Sequence, residues 1–518
     1  MIRLRNRNLQ LFCVFFIIYV FLGMCISYRV SYDANILFGA DNRRALLDLT
    51  DITYSHYRIK VHPLFLILTQ PIVLIVNGFV NNSRLSVILV ESFAGALSVV
   101  FLHNILKQLC SNEKLSHIIS CMYGLSFSMM IFSSIPESFV FAALGLVCFW
   151  YFVLRAAYSD EKNEKIIYII FVILGVISFG ITLTNYLPYC LGLLFYLIVR
   201  EEKAKAIIKK FVLINLINSG SIIILCVIQK MVWSQCPIFL ESIIHALLGH
   251  GYEETYYMNW LVNLDKTVGW LKEIFARSII SPDIYMQISG KYYQVSFGGY
   301  GVIAKIMLIA FFVCFAALLI LMFIRLFRNK DKKKSLYIAM LIVSFACNAL
   351  LHYFYGAHEA FIYTPHYLFI LFILLAAGVN SITSPKIAKA VYGFFVVFCA
   401  FELINNIYYG IKTAEIALDY AGMSPILWPK VALGTFLCAL LCFVICYLLE
   451  RYELKTGKPI FVLGTGDEFK AAIRSVAVFG ILTLLCCMFI SFNYNGVYGF
   501  LKWCWHIIIK IKGKLLGL

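Results

Sequence analysis

Long runs of apolar residues, separated by short polar and basic segments, dominate this chain. The runs Leu11–Tyr28 and Met307–Ile324 each match the roughly 18 to 20 apolar residues that cross the hydrocarbon core of a bilayer. The first run follows a basic N-terminus and is too long for the apolar region of a signal peptide, so it predicts a retained span. The pattern as a whole predicts an all-α polytopic membrane protein with about 11 to 13 transmembrane helices.

The later apolar runs predict where the other spans lie. After a first span at about 9–28, spans are expected at about 85–106, 117–133, 137–154, 166–184, 186–199, 211–229, 302–324, 336–354, 365–381, 389–406, 430–449 and 472–491. The segments 29–84 and 230–301 are then large loops, and 407–429 is a smaller one. The basic and aromatic stretch Tyr498–Leu518 predicts a helix that lies in the membrane interface.

Composition and charge agree with a membrane protein. The chain is 62% hydrophobic and only 14% charged, and its net charge is +17. In a soluble protein this charge would suggest nucleic acid, but here Lys and Arg concentrate between apolar runs, at 103–117, 200–210 and 325–334. Positive residues mark the cytoplasmic ends of spans. We therefore expect these loops and the N-terminus in the cytoplasm, and the loops 29–84 and 230–301 outside.

The apolar segment His62–Val80 changes this assignment if it is counted as a span. Every later loop would then change sides, and the basic cluster 325–334 would lie outside. Gln70-Pro71 interrupts the segment and Asn77-Gly78 ends it, which favours a broken helix. We therefore predict a juxtamembrane or re-entrant element within the first external loop.

Two acidic residues and an arginine recur at helical spacing in the first external loop. Asp41, Arg44 and Asp48 are three and four residues apart, so a helix at Arg43–Leu49 would place all three on one face. The simplest interpretation is a helix cap at Asp41 and a surface ion pair. At a membrane surface the same group is also a candidate for chemistry.

Three basic side chains follow in the same loop. Pro63 disfavours helical geometry at His62, and in an extended segment Arg58, Lys60 and His62 would point to the same side. Arginine binds phosphate through two hydrogen bonds and lysine binds it as a point charge, so this row suits a phosphate. The alternative is contact with lipid headgroups by a juxtamembrane segment.

Other polar positions lie at predicted external ends. Glu137 follows Pro136 and is either the acidic residue of a helix N-terminus, at position N2, or a site residue. Asn185 lies in a turn between two spans. His358, Glu359 and Tyr363 lie in a short late loop, where histidine and glutamate suggest zinc, although a standard ligand spacing is absent.

At these residues the chain resembles the GT-C superfamily of polytopic membrane glycosyltransferases. Asp41, or alternatively Asp33, corresponds to the family's acidic residue in the first external loop, and His62-Pro63 to the motif that opens its juxtamembrane helix. Glu137 matches an acidic site at the fourth span. The late stretch 358–361 is similar to the family's His-Glu-x-Arg-Phe pattern but lacks the arginine, and the frequent Asp-Glu pair near the first span is absent. The likeness covers residues 1 to about 380 and is closest to uncharacterised bacterial members.

The resemblance implies a GT-C-like catalytic module at 1–380, followed by C-terminal transmembrane helices and the interfacial tail at 381–518. It implies transfer of a hexose or pentose from a polyprenyl-phosphate donor on the extracytoplasmic face of the cell membrane. The acceptor would be a glycan, lipid or protein of the cell envelope. The donor, the acceptor and the bilayer are the expected partners, without nucleic acid. A nucleotide cofactor is not expected, and a divalent metal is left open.

The resemblance also assigns roles to the candidate residues. Asp41 is the expected general base, with Asp48 and Asp33 as alternatives. The expected substrate-binding residues are Arg44, Arg58, Lys60, His62, Glu137, Asn185, His358, Glu359 and Tyr363.

Three other classes of membrane protein remain as alternatives. A flippase or transporter would place charged residues near the midplane and often contains inverted repeats. Glu91 and Glu402 are the few acidic residues within predicted spans, and no repeat is evident. A polysaccharide polymerase would share the large external loops but has arginine-rich signatures that are not seen here. A non-catalytic scaffold is the third alternative.

Overall fold

The computed structural model describes most of the first 420 residues. The described residues are 7–27, 35–110, 112–159, 164–201, 203–233, 235–237, 239, 260–289, 292–328 and 331–420. The predicted spans 430–449 and 472–491, and the predicted interfacial tail, lie outside them.

Helices make up nearly all of the regular structure in the described part. They are α1 (Arg7–Ile26), α2 (Asn42–Thr50), α3 (Phe65–Val80), α4 (Ser83–Leu109), α5 (Glu113–Leu125), α6 (Phe127–Phe132), α7 (Phe139–Tyr158), α8 (Glu164–Ile181), α9 (Tyr186–Arg200), α10 (Ala204–Val232), α11 (Leu264–Leu271), α12 (Val302–Arg328), α13 (Lys332–Phe354), α14 (Leu368–Val379) and α15 (Pro385–Tyr420). Nine of the helices in this part of the chain are long and apolar enough to cross a membrane. The protein is therefore an all-α polytopic membrane protein, as predicted.

The helix α4 lies at the centre of the bundle. Of its apolar stretch, 94% of the residues are buried, compared with 22% for α10 and for α15. Because the outer helices keep large apolar surfaces exposed, their outward faces suit contact with lipid.

The helices α1 and α4 pack antiparallel. Asn8 donates from its amide to the side-chain oxygen of Asn104 (3.2 Å), and the rings of Phe12 and Phe93 lie 5.4 Å apart. At the other end of α1, Gly23 packs directly against Ile88. The segment between the two helices therefore begins and ends at the same end of this pair. This arrangement agrees with a segment 62–80 that makes no net crossing.

The basic loops of the described chain meet at one end of the bundle, called here the basic end. Lys334 donates to the carbonyl of Leu109 at the end of α4, and Arg325 donates to the carbonyl of Asn380 just after α14. Arg200 donates to the carbonyl of Ala156 near the end of α7 (2.8 Å). Each cation lies at a helix C-terminus, where the helix dipole and the unpaired carbonyls favour it. The grouping agrees with the predicted common side for these loops, and which membrane face they occupy stays a prediction.

Several predicted boundaries differ from the structure. The span at 117–133 is divided into α5 and α6 at Ser126, whose backbone leaves the helical conformation (φ −56°, ψ 140°). The segment 407–420 was predicted as loop but continues α15. The predicted span at 365–381 is a 3₁₀ turn, Thr364–His366, followed by the short helix α14.

The helix α3 also differs from the predicted broken helix. It runs without interruption through Pro71 and ends at Val80, where Asn81 adopts a left-handed conformation with φ 49°. Its 16 residues correspond to about 24 Å of helix, which is less than the roughly 30 Å hydrocarbon core.

A β-hairpin between α11 and α12 was not predicted. Its strands are β1 (Ile284–Ser289) and β2 (Tyr292–Phe297), paired antiparallel. The first loop pairs with it, because the amide of Val295 donates to the carbonyl of Ile36 (2.7 Å). The ring of Phe38 then stacks on that of Phe297 at 4.9 Å. These contacts fix the chain just before Asp41.

Candidate functional site

The helix α2 brings three predicted residues together. Arg44 donates from Nη1 to Asp48 (2.8 Å) and from Nε to Asp41 (3.3 Å), as the three- and four-residue spacing predicted. Arg44 is 5% exposed, so this is a buried ion-pair cluster rather than a surface pair. Asp41 occupies the N-cap position of α2, but its carboxylate makes no capping hydrogen bond there. The simple cap interpretation is therefore wrong.

Asp41 instead accepts hydrogen bonds from side chains outside α2. Nη2 of Arg58 donates to the Asp41 carboxylate at 3.0 Å, and the side-chain amide of Asn35 donates to it at 2.9 Å. Burial alone would raise the pKa of Asp41, but the guanidinium groups of Arg44 and Arg58 hold the pKa below its usual value. Asp41 is therefore an anion at neutral pH.

Glu137 joins the first loop to the start of α7. Its Oε1 accepts from the backbone amide of Asp41 (2.9 Å), its Oε2 accepts from the amide of Ser138 (2.6 Å), and Arg44 lies 3.5 Å from Oε2. The sequence placed Glu137 at N2 of the helix, but α7 begins at Phe139, so Glu137 precedes it. Burial raises the pKa of Glu137, while Arg44 acts in the opposite direction. The interpretation as a site residue fits these contacts better than the helix-end interpretation.

Glu91 supports the position of Glu137 and was not among the predicted site residues. It lies on α4, is fully buried, and accepts from the backbone amide of Glu137 at 2.8 Å. A sequence signal existed, since a carboxylate within an apolar span is rare without a functional or structural reason.

A second supporting group surrounds Asp48. The Nδ1 atom of His56 lies 2.9 Å from Asp48 Oδ1, and the side-chain amide of Gln70 on α3 donates to the Asp48 carbonyl at 2.8 Å. Trp233 at the end of α10 donates to Gln70 Oε1. Because Asp48 is buried between Arg44 and His56, it is enclosed rather than directed to a substrate. No sequence spacing connects these distant residues.

The predicted row of cations is not present. Residues Tyr57–Lys60 form a 3₁₀ helix, so side chains two positions apart do not point to the same side. Arg58 turns to Asp41, while His62 is buried and its Nδ1 contacts the carbonyl of Ile181 at 2.8 Å. Burial lowers the pKa of His62 to about 3, so it carries no charge at neutral pH. Lys60 is half-buried.

The late loop approaches the same cluster. Glu359 lies close to Gly39, which is two residues before Asp41. A Cβ atom placed on Gly39 would be 3.5 Å from Oε1 of Glu359. Gly39 itself has φ 79°, which favours glycine. Burial and the charge of Asp41 raise the pKa of Glu359, and Arg58 opposes this. Glu359 and Asp41 are thus neighbouring carboxyl groups with opposite pKa shifts.

Two further predicted residues belong to an adjoining buried layer. Tyr363 stacks on His352 with ring centres 4.0 Å apart, and Asn185 Oδ1 lies 2.8 Å from Nδ1 of His366. This layer borders the cluster through Phe139, whose ring contacts both Tyr363 and His366. Asp33 and the side chain of His358 lie outside the described residues.

The described part of the chain contains no group of three or more histidine, cysteine, aspartate or glutamate residues arranged to hold a metal ion. The arrangement does provide a reactive edge. Asp41 and Arg58 are 20% and 26% exposed, whereas Arg44, Asp48 and Glu137 behind them are 5% exposed or less. A ligand would therefore meet an anion and a cation side by side, held by a buried ionic layer.

In comparisons with known proteins, no protein-family model matches this chain, and no curated protein matches it.

Proposed function

We propose that this protein is a membrane glycosyltransferase that uses a lipid-phosphate-linked sugar. The observation that carries the proposal is the partly exposed pair of Asp41 and Arg58 at the end of the bundle opposite the basic end. A carboxylate orients an acceptor hydroxyl by accepting a hydrogen bond from it, and a guanidinium stabilises a departing phosphate. The pair therefore supplies the groups that hold the acceptor and the leaving group.

The surroundings of the pair suit a lipid-linked donor. The neighbouring helix α3 exposes Ile72, Ile75 and Phe79, which recur at helical spacing and form an apolar stripe. A polyprenyl chain along this stripe would place its phosphate near the polar end of the bundle. Arg58 precedes α3 in the chain, which supports its role as the phosphate ligand.

The transfer can be written with the residues of the cluster. The bond between the anomeric carbon and the phosphate oxygen breaks, and its electron pair leaves with the lipid phosphate beside Arg58. The acceptor oxygen forms the new glycosidic bond. Because its low pKa makes Asp41 a weak base, Asp41 orients the acceptor hydroxyl. The neighbouring Glu359 has a raised pKa, so its ionised carboxylate is the stronger base of the two. It receives the proton of the acceptor hydroxyl.

This proposal narrows the roles that the resemblance implied. Asp41 remains the central carboxylate, and its role is to orient the acceptor rather than to act as the general base. Asp48 becomes a positioning residue, because Arg44 and His56 enclose it. The donor would be a polyprenyl-phosphate hexose or pentose, and the acceptor a hydroxyl group of a cell-envelope glycan, lipid or protein outside the cytoplasm.

The decisive experiment compares Asp41→Asn with Asp51→Asn in the purified full chain. Asp51 lies in the same loop, at the end of α2, but its carboxylate contacts Thr53 rather than the cluster. With a panel of radiolabelled polyprenyl-phosphate sugars and envelope extracts as acceptors, Asp41→Asn is expected to reduce transfer by about 100-fold or more. Asp51→Asn is expected to retain it.

Equal transfer by both variants would refute the role of Asp41. Absence of transfer by the wild type with every donor, combined with movement of lipid-linked sugar across vesicles, would instead favour the flippase alternative.

A further inference from the structure

A small polar cavity lies at the basic end, far from the proposed site. Its volume is about 200 Å³, and it opens between the end of α12, the start of α13 and the end of α14. Arg325, Lys334, Asn380 and Ser381 form its polar side, and Met322 and Leu326 belong to its apolar side. Cations, small polar groups and apolar surface thus meet in one cavity at a helix-bundle end.

The carboxylate at the cavity is already occupied by other groups. Asp331 accepts from the backbone amide of Lys334 at 3.0 Å, which caps α13, and from the hydroxyl of Tyr158 at 2.9 Å. Both donors are neutral groups, and the single carboxylate of Asp331 is outnumbered by the two cavity cations, Arg325 and Lys334. Lys333 is exposed beside it and adds to the positive potential.

The two cavity cations retain capacity to bind an anion. Arg325 gives one nitrogen to the carbonyl of Asn380, and Lys334 gives its amine to the carbonyl of Leu109. A guanidinium has five N–H donors and an ammonium has three, so each can bond a carbonyl and an anion together. Arg325 is exposed, which leaves it accessible from the membrane interface.

The apolar side of the cavity indicates the kind of anion. On α12, Leu321 and Ile324 beside Arg325 are 40% and 47% exposed and continue the apolar surface outward. A free inorganic anion would gain nothing from this surface, whereas the acyl chains of a lipid would cover it. Basic pockets between transmembrane helices are suited to anionic headgroups for this reason.

We propose that this cavity binds the phosphate of an anionic membrane phospholipid, with Arg325 and Lys334 as the phosphate ligands and the acyl chains along α12. The site is independent of the proposed glycosyl transfer. It would select an anionic lipid over a zwitterionic one, since the trimethylammonium group of a choline lipid would face the same cations.

The test is native mass spectrometry of the full chain released from detergent with added phosphatidylglycerol or phosphatidylcholine. The variants are Arg325→Gln, Ser381→Leu and the control Lys332→Gln. Lys332 carries the same charge at the same end of the bundle but does not line the cavity. Ser381→Leu fills the cavity without changing its charge, so it tests the cavity even if Arg325→Gln perturbs the cap of α14.

We expect phosphatidylglycerol to bind the wild type and Lys332→Gln at similar concentrations, and phosphatidylcholine to bind both more weakly. Arg325→Gln and Ser381→Leu should each weaken phosphatidylglycerol binding by roughly tenfold. Equal binding by all four proteins, or equal binding of the two lipids, would overturn the proposal. If inorganic phosphate at millimolar concentration displaced the lipid completely, the site would belong to a soluble anion and the lipid assignment would be wrong.

Discussion

Three carboxyl groups within the proposed site show how much the surroundings decide the chemistry of one side-chain type. Asp41 has a lowered pKa because two guanidinium groups outweigh its burial. Glu137 and Glu359 have raised pKa values because burial outweighs the nearby arginine. Groups whose pKa values are shifted in opposite directions can divide the tasks of orienting a hydroxyl and accepting its proton.

The raised pKa of Glu359 predicts a pH dependence of transfer. Glu359 must be ionised to accept a proton, so activity should rise with pH through an apparent pKa above the usual 4.5 of glutamate. Glu359→Gln should lower transfer by about 100-fold and abolish this acidic limb, as measured by initial rates across pH 4 to 9. Asp51→Asn, which leaves the cluster intact, should keep the limb. A Glu359→Gln profile with an unchanged acidic limb would contradict the assignment.

At the residue scale, the sequence predicted contacts within one helical segment and missed those between segments. The three- and four-residue spacing of Asp41, Arg44 and Asp48 was sufficient to place them together. The row of cations around Lys60 was wrong, because the 3₁₀ turn changed which side chains share a face. The approach of Arg58 to Asp41 depends on tertiary packing over 17 residues, which no local pattern contains.

At the scale of elements, apolar run length predicted most of the long helices, because bilayer thickness sets that length. It failed where helices end for local reasons, as at Ser126, or continue past the apolar core, as α15 does to Tyr420. The β-hairpin was missed because span-length apolar runs do not detect strands. The local signal was the β-branched and aromatic residues of its two six-residue strands.

The contact between α4 and the start of α7 provides a stability prediction. Glu91 is buried and accepts from the backbone amide of Glu137, so Glu91→Leu leaves that amide without a partner. We expect Glu91→Leu to lower the free energy of unfolding by about 1 to 3 kcal/mol. Glu91→Gln keeps an acceptor oxygen and should cost less.

Thermal unfolding of the purified variants in detergent, followed by intrinsic tryptophan fluorescence, measures this difference. If Leu and Gln at position 91 gave equal melting temperatures, the hydrogen bond to Glu137 would not be what holds the start of α7.

At the scale of the whole molecule, the basic loops and the proposed site lie at opposite ends of the described bundle. Arg200, Arg325 and Lys334 contact helix ends at the basic end, and Asp41 and Glu137 lie at the other. The sequence predicted that the basic loops share one side, from loop charge together with the prediction that 62–80 makes no net crossing. The membrane face on which they lie stays a prediction.

This separation predicts which positions a membrane-impermeant reagent reaches from outside. In intact cells, a cysteine introduced at Asp51 should react with a maleimide reagent, whereas one introduced at Lys332 should react only after permeabilisation. The wild-type chain, whose described cysteines are buried or half-buried, supplies the background. Reaction of both introduced positions from the same side would refute the predicted topology.

The pairing of the first loop with β2 has a consequence for synthesis on the ribosome. Asp41, Arg58 and Glu137 are made within the first 140 residues, but Val295, which binds the carbonyl of Ile36, is made more than 150 residues later. Glu359 follows later still. A nascent chain that has inserted its early helices therefore holds its charged residues without the strand and loop that fix their positions. The proposed site would therefore be complete only after the segment that contains Glu359 has been made.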